Sequence, residues 1–369
     1  MNYLEKLLQG APVEWKTLGE VAKLQRGRVI SKQYLSENIG DYPVYSSQTA
    51  NNGEIGTIST FDFDQEAITW TTDGANAGTV FHRLGKFSIT NVCGLVNILD
   101  LQQLDYKFLF YWLSVEAKKY VYSGMGNPKL MSNQMEKIKI PIPPLAVQKE
   151  IARILDAFTA ITSELTSELT LRQKQYQHYR DKLLTFGEEV EWKTLGEVCD
   201  LQAGKHIPAS KILPSVDGEH IYPCYGGNGI RGYVQDFSHN GKYIFIGRQG
   251  ALCGNVQRYT GKLYATEHAV VVSCSNVIHP DYMFHLLTVM DLNQYASKSA
   301  QPGLVVGKLK DLKIPIPPTE EQKRIVETLD KFDTLTNSIS EGLPKEIELR
   351  NKQYEYYREM LLGFEKNDE

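Results

Sequence analysis

The octapeptide EWKTLGEV occurs twice, at Glu14 to Val21 and at Glu191 to Val198, a displacement of 177 positions. Eight identical residues in a row mark the chain as a repeat, and a repeat constrains the fold more than composition does, because each copy has to bury the same face. The order of the other segments agrees. KIPIPP recurs at Lys139 to Pro144 and Lys313 to Pro318, QKEIARILDAF (148–158) answers QKRIVETLDKF (322–332), and LRQKQYQHYRDKLLTF (171–186) answers LRNKQYEYYREMLLGF (349–364). YLEKLL at Tyr3 to Leu8 is a partial third copy, similar to 179–184 and 357–362. A chain that starts partway through its own repeat makes physical sense if its ends meet in space, giving a circular repeat with pseudo-two-fold symmetry.

From Val147 to Phe186 apolar residues fall at 151, 154, 158, 161, 165 and 169, then at 176, 179, 183 and 186. Spacings of three and four predict a long amphipathic helix with a coiled-coil-like seam. Pro143-Pro144 cannot be helical, so the helix is expected to start within Leu145 to Gln148. Its counterpart is expected to begin behind Thr319 as N-cap, to break at Gly342-Leu343-Pro344, and to resume from about Lys345 to Phe364. Within the first helix Thr162 to Leu169 is a tandem, TSELTSEL. Four residues are about one turn, so the number of copies would set the helix length while nearly keeping its seam.

At 369 residues and 42% hydrophobic content the chain can build two cores. The stretches flanking the helices are rich in Tyr, Ile, Val, Thr and Gly, with turns such as Asn52-Gly53, Asp73-Gly74 and Asn240-Gly241. They predict mixed α+β domains dominated by short strands, with helices at Asp105 to Tyr120 and Asp281 to Tyr295. The expected division is a helical tail at 1–11, a first domain at 12–144, a central connector at 145–188, a second domain at 189–318 and a C-terminal connector at 319–369. Net charge is −4, unlike the basic footprint of a stand-alone nucleic-acid binder. The acidity sits in 319–369, with 13 acidic residues against 8 basic, whereas 1–146 carry 14 of each and 189–318 carry 12 basic against 11 acidic. A near-neutral reader of DNA would take phosphate contacts from a partner. No signal-peptide pattern opens the chain and no run approaches the ~20 apolar residues of a membrane span, so a cytoplasmic protein without a membrane partner is expected. The five cysteines show no CxxC or metal-ligand spacing and read as buried thiols.

Gly227 to Gly232 matches GxGxxG but runs into a strand-like segment where a nucleotide fold needs a helix. GxxxxGK, HExxH, GxSxG and NPP[FY] do not occur. No catalysis, metal or cofactor is therefore expected of this chain. Both halves instead carry polar, glycine-flanked loops in matching places, with residue types that read base edges: Arg for guanine, Asn and Gln for adenine, Asp for cytosine. The candidate DNA contacts in the first half are Arg26, Arg28, Ser47, Gln48, Asn51, Asn52, Thr71, Thr72, Asp73, Asn76 and Lys129. In the second half they are Lys205, His206, Asn228, Arg231, Arg248, Gln249, His268 and Gln301. Ordinary surface turns use the same residue types, and a satisfied histidine at a strand end is the alternative for His268. Trp15 and Trp192 read as packing anchors where each domain meets its helix.

Together, WKTLGEV, KIPIPP, Q-K-x-I-x-x-x-L-D-x-F and K-Q-Y-x-x-Y-R-x-x-L-L resemble the specificity subunits of Type I restriction-modification systems over nearly the whole chain. The resemblance implies an α+β fold: two mixed, strand-rich target-recognition domains separated by long antiparallel coiled-coil-like helices in a pseudo-two-fold circular repeat. It implies a non-catalytic subunit that binds double-stranded DNA, each domain reading one half of a bipartite site. The helices would set the spacer and bind two methyltransferase subunits, which use S-adenosylmethionine to modify adenine. Restriction/motor subunits of the full complex would use ATP and Mg. TSELTSEL stands where such spacer-setting repeats stand in that family. Two other readings fit the residues: a specificity subunit of a methylation-only or other defence system, and a pseudo-symmetric scaffold that does not read DNA.

Overall fold

The computed structural model describes residues 3–124, 126–250, 252–298, 302–338 and 340–365. The chain divides into two compact units, Met1–Glu164 with Ile347–Glu369, and Leu165–Glu346. The boundary in the central helix falls inside TSELTSEL. Among the described residues no helix is long and apolar enough to cross a membrane.

The first unit contains strands β1 (Glu14–Thr17), β2 (Ala22–Arg26), β3 (Ile39–Tyr45), β4 (Glu54–Ile58), β5 (Phe63–Asp64), β6 (Ala67–Thr71), β7 (Val80–Arg83), β8 (Lys86–Ile89), β9 (Cys93–Ile98) and β10 (Lys139–Ile142). β1 pairs antiparallel with β10, Trp15 opposite Pro141, so the WKT and KIPI signatures are the two strands of one ribbon. A two-stranded ribbon is all edge, which is where a strand tolerates proline. The other strands form two four-stranded sheets, ordered β2-β9-β6-β7 and β4-β3-β8-β5. Helix Tyr106–Glu116, capped by the Asp105 carboxylate, buries Phe108, Leu109, Trp112 and Leu113 in the main core. That core also holds Leu4, Leu361 and Leu362, so the two ends of the chain meet within this unit.

The second unit contains β11 (Glu191–Thr194), β12 (Cys199–Ala203), β13 (Tyr222–Gly226), β14 (Gly229–Val234), β15 (His239–Gly247), β16 (Val256–Ala265), β17 (Ala269–Cys274) and β18 (Lys313–Ile316). β11 and β18 repeat the ribbon. The rest form one six-stranded sheet, ordered β12-β17-β15-β16-β13-β14. The long hairpin β15–β16 runs unbroken where the first unit has β5, β6, β7 and β8, with Gly85 at φ +80 turning the chain between β7 and β8. The GxGxxG segment is the turn and start of hairpin β13–β14.

Each domain is tied to its connector by the same parts. In the first unit the central helix (Leu145–Leu183) presents Gln148, fully buried, whose Nε2 donates to the carbonyls of Pro143 and Gln103, both at 2.8 Å, while Oε1 accepts from the Asp105 amide at 2.9 Å. In the second, helix Thr319–Asn337 presents Gln322, which donates to Pro317 and Val277 at 2.9 and 3.1 Å and accepts from the His279 amide at 2.7 Å. One helical turn or more further on, the chemistry differs. Asp156 accepts from Tyr111 at 2.7 Å and Lys107 at 3.1 Å. Asp330, its counterpart, lies 2.8 Å from both His285 and Arg258, and Arg258 continues to Asp281 and Asp333. The repeat signatures also pack on each other within each unit. Phe158 stacks on Tyr357 at 5.2 Å, and Phe332 stacks on Tyr179 at 5.5 Å.

Three expectations need correction. Thr319 is the first helical residue, with Pro318 in the cap position. The C-terminal connector ends its first helix at Asn337 and restarts at Gly342, so Pro344 lies in the first turn of helix Gly342–Leu361 instead of breaking it. There its missing N–H has no intrahelical acceptor to lose. Gly342, at φ +81, is required because a Cβ would fall 2.3 Å from the Thr334 carbonyl oxygen. Finally, Trp15 packs edge-on against Trp112 at 5.7 Å, but Trp192 is 46% exposed and is held by a bond from its Nε1 to the Gly187 carbonyl.

Candidate nucleic-acid interface

The strand ends that carry the candidates come together because the ladders end in step. In the first unit β2 ends at Arg26 and β6 at Thr71, each beside β9. The Gly74 amide bonds the Pro128 carbonyl at 3.0 Å, and the Leu130 amide bonds the Thr72 carbonyl at 2.9 Å, which brings Lys129 to Asp73. Asp73 is 3.7 Å from Lys129 Nζ, 3.9 Å from Arg26 Nη2, and accepts from the Thr72 hydroxyl at 2.7 Å. Arg26 also donates to the Asn91 carbonyl from Nε and Nη2. Arg26, Thr72, Asp73 and Lys129 thus form one cluster, charged and partly exposed.

Arg28 points elsewhere. Its Nε donates to both Asp62 oxygens at 3.1 and 3.0 Å and its guanidinium lies over the Tyr34 ring. Thr71 and Thr72 are fully buried: the Thr71 hydroxyl bonds the Asn76 carbonyl and the Thr72 hydroxyl bonds Asp73. Thr71 ends the fully buried strand β6 and Thr72 just beyond it is buried as well, so both hydroxyls brace the loop from inside and drop out as base contacts. Ser47 is half-buried. Asn76, Gln48, Asn51 and Asn52 are exposed, Gln48 donating to the Glu54 carbonyl.

The second unit repeats the frame with other side chains. The Gly250 amide bonds the Pro302 carbonyl at 2.9 Å and the Leu304 amide bonds the Arg248 carbonyl at 2.8 Å. Gln301, predicted at this loop, lies outside the described residues. A concavity of about 360 Å³ is lined by Gly227, Asn228, Arg231, Gln249, Gly250, Leu252 and His268. His268 Nδ1 lies 2.8 Å from Gln249 Oε1, and its Nε2 is 3.5 Å from Glu267, whose Oε1 is also 2.9 Å from His206 Nδ1. Lys205 and Arg231 are exposed beside this cluster or on its rim, and Arg248 is half-buried with Nη1 3.4 Å from the Glu267 carbonyl.

Glu267 is the residue that sequence reasoning missed. Burial alone would raise its carboxyl, but the bond from His206, a backbone amide and the two histidines hold it below the usual carboxylate range. Its Oε2 is buried without a hydrogen-bond partner. The one signal in the sequence is its position beside His268. What these clusters offer chemically is a set of donors and acceptors at loop tips; among the described residues no group of three or more His, Cys, Asp or Glu is arranged to hold a metal ion.

Comparison with known proteins gives a consistent result. A family described as "Type I restriction modification DNA specificity domain" matches residues 12–172 and again 187–349. The chain is 45% identical over 382 residues to the Type I restriction enzyme EcoprrI specificity subunit of Escherichia coli, covering 92% of each chain. It is 35% identical over 407 residues to the Escherichia coli EcoR124I/EcoR124II specificity subunit, covering 99% of this chain and 98% of that one. The crystal structure of a Type I restriction-modification system S subunit from M. genitalium superposes with a TM-score of 0.71 at 19% identity, over the whole of both chains, a likeness of fold.

Proposed function

The chain belongs to the family of Type I restriction-modification DNA specificity subunits, and on that premise we propose that each of its two domains reads one half of a bipartite site in double-stranded DNA. One observation carries this reading. The same backbone frame, Gly74 to Pro128 and Gly250 to Pro302, presents Asp73 and Lys129 in one domain and Arg248 and Gln249, with His268 beside them, in the other. A scaffold that only joined two identical partners would have no use for two different sets of base-reading groups on one frame.

The connectors carry the rest of the proposal. The repeated K-Q-Y-x-x-Y-R segments bind two methyltransferase subunits, and the central helix, with TSELTSEL inside it, sets the spacer. The methyltransferase subunits supply S-adenosylmethionine chemistry at adenine, and restriction/motor subunits in the full complex supply ATP- and Mg-dependent steps. This chain needs no cofactor of its own and acts in the cytoplasm. Its near-neutral domains are consistent with phosphate contacts shared with those partners.

Replacing residues 189–318 with the second domain of another family member tests the reading. Methylation is expected at a site in which one half-sequence has changed and the other has not. A change in both halves would overturn it.

A further inference from the structure

Arg83 ends β7 and is 3% exposed, so a guanidinium is held inside the first domain. Its Nε donates to the Thr69 hydroxyl at 3.1 Å and its Nη2 to the Asn52 carbonyl at 2.8 Å. The group lies 3.5 Å from the centre of the Tyr45 ring and 4.5 Å from that of Phe81, while Nη1 is buried without a partner. Its direct contacts are ring faces and neutral oxygens, and burial lowers its affinity for the proton by more than Tyr45, Cys93 and the Glu54 carboxylate raise it. Such a group costs stability relative to an apolar side chain of similar size.

The second domain does without it. His82, against Phe110, corresponds to Arg258, against Phe284, so the residue corresponding to Arg83 is Tyr259. Tyr259 packs 5.6 Å from Tyr225, which stacks on Phe245 at 4.7 Å, in an ordinary apolar cluster. The fold therefore does not require a cation here.

What Arg83 touches is a turn. Asn51 and Asn52 are both left-handed, at φ 47 and 54, followed by Gly53 at φ 83. Consecutive non-glycine residues in that region persist only where their surroundings hold them. Both asparagines are exposed, and among the hydrogen bonds of the described residues none uses their side-chain amides.

We propose that Arg83 is a positioning residue for recognition by the first domain: it clamps the Asn52 carbonyl so that the Asn51 and Asn52 amides face outward to a base edge, with adenine the matching partner. This rests on the proposed reading of one half-site by that domain. The cost of burying the charge is kept because it sets the turn.

The test uses the full chain with its methyltransferase partner and measures methylation of sites varied one base pair at a time in each half. Arg83→Met should leave thermal stability equal or higher, yet lower discrimination at one base pair of the first domain's half-site about tenfold or more, with the other half-site unchanged. Asn51→Gly with Asn52→Gly keeps the left-handed backbone and removes both amides; it should relax the same base pair, and adding Arg83→Met should add nothing. Discrimination left intact by the glycine pair would overturn the inference, as would discrimination left intact by Arg83→Met, whatever its stability. If Arg83→Met does not fold, Arg83→Lys, which keeps a cation but loses the planar fork that bonds both Thr69 and Asn52, carries the same expectation for discrimination. Relaxation of both half-sites together would instead contradict the assignment of one half-site to each domain.

Discussion

Gln148 and Gln322 make the same three hydrogen bonds in their own units, each joining two carbonyls and one amide, and in each the bond to the proline carbonyl is fully buried. In each unit the acceptors include the proline carbonyl just before the connector helix and the carbonyl of a residue just before the domain's own helix, so one side chain fixes the joint between them.

Gln322→Ala should therefore destabilise the second unit well beyond a surface change. Leaving a buried backbone group unsatisfied costs about 1–3 kcal/mol, so the loss should be about 1–3 kcal/mol, chiefly from the buried Pro317 carbonyl. Thermal unfolding followed by a probe in the second unit checks this, and an unchanged transition would show that water replaces the amide at no cost.

Acid should loosen the second unit through Asp330. Burial would raise its carboxyl, but the bonds from His285 and Arg258 outweigh that and hold it below the ordinary value of 3.8. A carboxyl lowered by folding stabilises fully above its unfolded pKa, and that contribution is lost as pH falls through the folded one. The expected destabilisation therefore sets in near pH 3.8 and completes below it. Asp330→Asn should flatten this limb of the pH profile, and an identical acid limb in the variant would assign it to other groups.

Arg248 and Arg28 should differ in their effect on recognition. The Arg28 fork is filled by Asp62, whereas Arg248 has one long contact to a carbonyl and can exchange it for a base. Arg248→Ala should cost ~1–3 kcal/mol at one half-site, and Arg28→Ala markedly less. Equal losses measured by competition binding would remove the distinction.

A third TSEL inserted after Leu169 adds about 6 Å of helix at ~1.5 Å per residue, so the spacer should lengthen by one or two base pairs at ~3.4 Å each. Both half-sequences should stay the same. Two inserted residues would turn the helix by roughly half a turn and should disrupt assembly, because apolar positions would face water. Unchanged spacing with a third TSEL would move the ruler to the other connector.

Much of the scaffold was legible because its signals are local. Pro143-Pro144 and the spacing of apolar residues set the start of the central helix at Leu145, whereas the pairing of WKT with KIPI, Trp15 opposite Pro141, joins distant segments and was not legible. The break in the second connector was misjudged because Pro344 was taken as a breaker, whereas its effect depends on which helical turn it occupies. The candidate interface was legible only as a set of loops. Thr71 is hidden because β6 is covered on both faces, which no alternation in its sequence announces, and Thr72 is buried just beyond the strand's end. Arg28 is occupied by Asp62, 34 residues away, and Arg83 holds Asn52 across 31 residues, contacts that only the closed sheets create.

Recognition of a split site by this chain can be read out by mapping methylated adenines across the genome in cells with and without this gene, its partners present in both. Methylation is expected at one split motif, two short specific sequences separated by a fixed gap, present only when the gene is present. Methylation at the same motif without the gene, or at an unbroken motif with it, would show that the chain does not direct it in this way.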